Sequence, residues 1–83
     1  MTIRKIAQEL FDSLSVDGKR YIYHLPEHEI PILCLGLGMT IRTNYLLDKP
    51  KPEDATSDIP EYIVLEIIHA MWKIAKSESE TNE

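Results

Sequence analysis

The chain has 83 residues, 43% of them hydrophobic and 28% charged, with a net charge of −5 and one cysteine. A chain this short buries only about 60–65% of its unfolded surface. Its lone Cys34 rules out an internal disulfide, and its acidity argues against general nucleic-acid binding, which needs clustered Lys and Arg.

No run of about 18 apolar residues exists to cross a membrane, and MTIRKIAQELF lacks the apolar core of a secretion signal. A cytoplasmic protein is expected, with a free thiol suited to a reducing compartment.

Thr2 can cap a first helix in which Ile3, Ile6, Ala7, Leu10 and Leu14 recur at three- and four-residue steps. Ser15 is a second N-cap, with Asp17 favouring the helix N-terminus. The helix it opens, Val16 to about His24, should turn Tyr21, Ile22 and Leu25 inward. Pro26 stops that helix and can open the next.

The third helix starts at about Pro26 or Pro31 and runs to Leu47. Leu33, Leu37, Ile41 and Tyr45 form one apolar stripe; Ile32, Leu35, Met39 and Leu46 form another. A helix apolar on two sides is normally central. Gly36 and Gly38 inside it cost about 1 kcal/mol each against Ala, which points to a packing or binding reason for them.

Residues 48–57 (DKPKPEDATS) form a loop, because two X-Pro steps disfavour helix there. Its length, beyond the usual span between bundle helices, is of a kind associated with function. A fourth helix opens at Asp58, with Pro60 in its first turn and Glu61 three residues after Asp58, resembling a capping box. Ile59, Ile63, Ile67, Ala70 and Ile74 form its core stripe; Val64 or Leu65, Ile68 and Trp72 form a second. The expectation is an all-α compact bundle of about four helices with a central Gly-containing helix. It forms one domain over residues 1–75, with a polar disordered tail over 76–83.

The segment GLGMTIR (36–42) is the expected functional focus. Its G-x-G lacks the preceding strand, third glycine and βαβ unit of a dinucleotide fold. On a helix, side chains lean toward the N-terminus, so Arg42 reaches back over Gly38, where no side chain blocks it. The guanidinium fork suits carboxylate or phosphate, and Thr43, Asn44 and Tyr45 add polar groups. Gly38, Arg42, Thr43, Asn44 and Tyr45 are thus the candidate ligand-binding residues. In the competing reading the glycines admit a neighbouring helix and Arg42 is structural, paired with Asp54 or Asp58.

No catalytic constellation, metal site or cofactor is expected. His24 and His28 have helical spacing but Pro26 lies between them, no cysteine pair or HExxH supports them, and Cys34 has no basic neighbour in sequence. Two helices with two apolar faces exceed what one small core covers. A homo-oligomer is expected through helix 3 or 4, with Ile68 and Trp72 as candidate interface residues.

The stretch LGLGMTIRTNYLL, then KPEDAT, then IVLEIIHAMW, resembles a family of small bacterial and phage-type proteins of unknown function. Its pattern is L-G-x-x-I-R-N-x-aromatic-x-L, followed by a Pro-acidic-Asp segment and a late Trp. Leu37, Gly38, Ile41, Arg42, Asn44, Tyr45 and Leu47 carry the likeness, with Pro52, Asp54 and Trp72 downstream. Thr43 stands where the family usually has Asn, and Lys51 where a His often precedes the Pro.

Two functions follow as expectations, neither enzymatic. One is a small binding protein that sequesters an anionic, phosphate-bearing or nucleotide-like molecule at Gly38 and Arg42. The other is a protein-interaction module, of inhibitor or immunity type, in which Arg42 is structural.

Overall fold

The computed structural model describes residues 2–46 and 51–82, with side chains through Glu78, and every regular element among them is helical. Helix α1 spans Ile3–Asp12 and α2 spans Val16–His24. A 3₁₀ turn, Glu27–Glu29, leads into α3, Ile30–Ile41, which continues as a single π turn, Arg42–Leu46. Helix α4 spans Pro60–Asn82. The expected positions of Leu47, Asp48 and Lys49 lie outside the described residues.

The local signals explain the first two helices. The Thr2 hydroxyl accepts from the Lys5 amide at 3.1 Å, and the Ser15 hydroxyl from the Gly18 amide at 3.1 Å. Each satisfies one of the amides left open at a helix start. Pro31 sits in the first turn of α3, where its missing N–H costs nothing, so the helix needs no bend there. Ile22 in α2 and Leu25 just after it are buried as expected, but Tyr21 is exposed.

The hub is α4 and not the glycine-bearing α3. Ile63, Val64, Ile67, Ile68, Met71, Ile74 and Ala75 are all buried. At 100° per residue they form a stripe roughly 140° wide, broad enough to receive several neighbours. Helices α1, α2 and α3 each pack on it. Ile3, Ile6, Ala7 and Phe11 come from α1, Ile22 from α2, and Ile30 and Ile41 from α3.

The connection before α4 is tied down from residue 51 onward. Pro52 is fully buried. Asp54 Oδ1 accepts from the Ile3 amide at 2.6 Å, a second cap on α1 from a residue 51 positions away. Thr56 donates from its amide and its hydroxyl to the Glu66 carboxylate. Asp58 bonds Lys51 at 2.5 Å, while the Ser57 hydroxyl accepts from the Ile59 amide at 3.0 Å. Asp58, expected as the cap of α4, is thus engaged with Lys51, and the Ser57 bond closes a local turn just before the helix.

At the far end α4 continues through Asn82, where a disordered tail over 76–83 was expected. The stretch KSESETN contains neither Gly nor Pro to stop a helix. Lys76 belongs to the fold, with its ammonium 4.6 Å from the centre of the Tyr23 ring and 5.5 Å from that of Trp72.

Candidate functional site

Helix α3 contains no charged residue between Ile30 and Ile41. Its inward side carries buried Ile30 and Ile41, with half-buried Leu33, Cys34 and Leu37 against the core. Its opposite side carries Ile32, Leu35 and Met39, which keep 60%, 85% and 74% of their surface exposed. Their spacing of three and four residues stacks them along one line of the helix. Gly36 lies on that line too, and a methyl group built at its Cα meets nothing within 4 Å.

The two glycines therefore have different causes. A Cβ on Gly38 would sit 3.4 Å from Val64 Cγ1, so Gly38 lets α3 lie close on α4. No atom of the described residues accounts for Gly36.

Beside Gly38 an open groove of about 370 Å³ is lined by Cys34, Leu35, Gly38, Met39, Arg42, Glu61 and Val64. Gly38 and Arg42 are thus brought together, as the sequence suggested. The guanidinium is already engaged, since Arg42 Nη1 lies 3.1 Å from Glu61 Oε1. The expected partners are committed elsewhere, Asp54 to the Ile3 amide and Asp58 to Lys51. With half of Arg42 and two-thirds of Glu61 exposed, such a pair contributes about 0–1 kcal/mol.

The rest of the anticipated ligand set does not converge on this groove. Thr43 and Asn44 are exposed on the π turn, and Tyr45 is half-buried, packed against the core. Cys34, on the groove wall, has its thiol pushed above the ordinary range by burial, which favours the unreactive protonated form. No group of three His, Cys, Asp or Glu residues that could hold a metal occurs among the described residues.

Of the anticipated interface residues on α4, Ile68 faces the interior and Trp72 is half-buried. Ile68 is 0% exposed. Trp72 donates from Nε1 to the Leu25 carbonyl at 2.7 Å, stacks on the His69 ring at 5.8 Å, and lies under Lys76. Of the second apolar stripe of α4, Val64 and Ile68 are buried, while Leu65 and Trp72 are half-buried, Trp72 against the residue that ends α2. Large apolar side chains are also exposed at Val16, Tyr21, Ile59 and Tyr62, but Ile32, Leu35 and Met39 on α3 line up on one helix face, and Leu35 and Met39 are the most exposed of these.

No helix among the described residues is long and apolar enough to cross a membrane. Searches of protein families, curated proteins and solved structures gave no match to this chain.

Proposed function

We propose that this chain is a protein-interaction module whose docking surface is the outer face of α3. The observation that carries the reading is the exposed line of Ile32, Leu35 and Met39 on a helix that is apolar all round. Burying one such side chain is worth about 1.5–3 kcal/mol. Scaled by the exposed fractions, the three together offer roughly 3–7 kcal/mol to a partner that covers them.

An anion at Arg42 would only replace Glu61 in a half-exposed ion pair, a contact worth at most about 1 kcal/mol, in a groove otherwise walled by apolar side chains. Magnitude favours the apolar face. On this reading Arg42 and Glu61 hold one edge of that face.

The test places a photo-crosslinking side chain at position 35 and, as a control, at exposed Glu9 on α1. A discrete protein adduct is expected from position 35 alone, lost when Ile32 and Met39 are changed to Lys. The reading fails if position 35 yields no discrete adduct. It fails in favour of ligand sequestration if a phosphate-bearing compound raises the melting temperature and Arg42→Ala abolishes that rise.

A further inference from the structure

The outer face of α3 is uncharged, whereas the chain as a whole carries −5. Its apolar line holds a large side chain, Leu35, directly beside a residue with none, Gly36, whose Cβ position is open. A surface that sets a knob next to its own hole is self-complementary, which is what an isologous two-fold contact requires.

We infer that the partner on this face is a second copy of the chain, docked antiparallel about a two-fold axis passing between Leu35 and Gly36. The inference rests on the interaction-module reading above. In this register each Leu35 lies over the other copy's Gly36, and each Ile32 lies opposite the other copy's Met39.

The face, with Gly36, Thr40 and Thr43 beside the three large side chains, exposes on the order of 500 Å² per copy. Two copies then bury about 1,000 Å², near the lower limit for a specific interface. The contact is therefore a weak, reversible dimer. Because the copies are alike in charge and the contact itself is neutral, added salt screens their repulsion and strengthens the dimer. A partner attracted by the acidic surface would instead be released by salt.

Sedimentation equilibrium of the full chain over a concentration series, at low and high salt, tests this. The expected result is a monomer–dimer equilibrium that tightens with salt, and that weakens at least tenfold in Gly36→Leu, with helicity unchanged by circular dichroism. In a Cys34→Ala background, an Ile32→Cys chain mixed with a Met39→Cys chain should give more mixed product with a short bis-maleimide than either chain gives alone. A strictly monomeric protein overturns the inference, as does a dimer that Gly36→Leu leaves intact or one dominated by like-with-like crosslinks. If the protein is monomeric yet position 35 still captures another protein, the interaction module stands with a different partner. If it is monomeric and captures nothing, both readings fall.

Discussion

Helices α3 and α4 are both apolar on two sides, but α4 buries most of its apolar residues among the described elements, whereas α3 leaves one side largely exposed. On α4 one broad stripe receives three helices, and Trp72, on its margin, is sealed by a hydrogen bond to the end of α2. On α3 one side meets α4 and the other keeps Ile32, Leu35 and Met39 largely exposed. The same residue types thus build a core in one helix and a docking face in the other. What separates them is position in the bundle, not hydrophobicity.

The sharpest way to break this contrast is to truncate equivalent apolar side chains on the two helices. Ile68→Ala should cost about 2–5 kcal/mol in chemical denaturation, because it leaves a cavity at a fully buried site. Leu35→Ala should change the stability of the single chain by no more than about 0.5 kcal/mol. Similar losses at both positions would mean that α3 is covered from within.

A smaller effect tests the seal on α4. Trp72→Phe keeps an aromatic ring but leaves the Leu25 carbonyl without its donor, and should cost about 1–2 kcal/mol. Removing the same bond at an exposed site would cost far less, so a negligible loss would show that this margin of α4 is open to water.

The glycines give an effect of opposite sign. Gly36→Ala should stabilise the isolated chain by about 0.5–1 kcal/mol, through helix propensity alone. Gly38→Ala should gain less, because its new methyl presses on Val64. Equal gains would remove the distinction between an inner glycine and an outer one.

The smallest change concerns the entrance to α4. Hydrogen bonding and charge from Lys51 hold the Asp58 carboxyl below its usual range. A carboxyl with a lowered folded pKa stabilises above its unfolded value, and loses that contribution as pH falls through the folded one. Asp58→Asn should therefore melt slightly below the parent at neutral pH, and the gap should close in acid.

Much of the fold was legible in the sequence. Thr2 and Ser15 announced their helices because a capping hydroxyl acts on amides two or three residues away. Pro26 and Pro60 marked boundaries for equally local reasons. The hub was not legible, since the two stripes of α3 and the two of α4 look alike until the chain is packed. For the same reason Ile68 and Trp72 were expected at an interface, although Ile68 is fully buried and Trp72 half-buried. Gly38 and Arg42 were rightly brought together, because a four-residue step on a helix fixes their proximity. The partner of Arg42 lies 19 residues away in sequence, and nothing local separates Glu61 from Asp54 or Asp58. The π turn at 42–46 carries no comparable local mark.

Trp72 is the only tryptophan, and its indole is fixed between the α2 carbonyl at Leu25, the His69 ring and the Lys76 ammonium. Excited at the red edge, the protein therefore emits from a single fluorophore in a rigid setting. Its emission follows the docking of α2 on α4 and is blind to whatever covers α3 from outside. The chain thus carries its own optical reference: a variant on the outer face that leaves this emission unchanged has altered association without touching the fold.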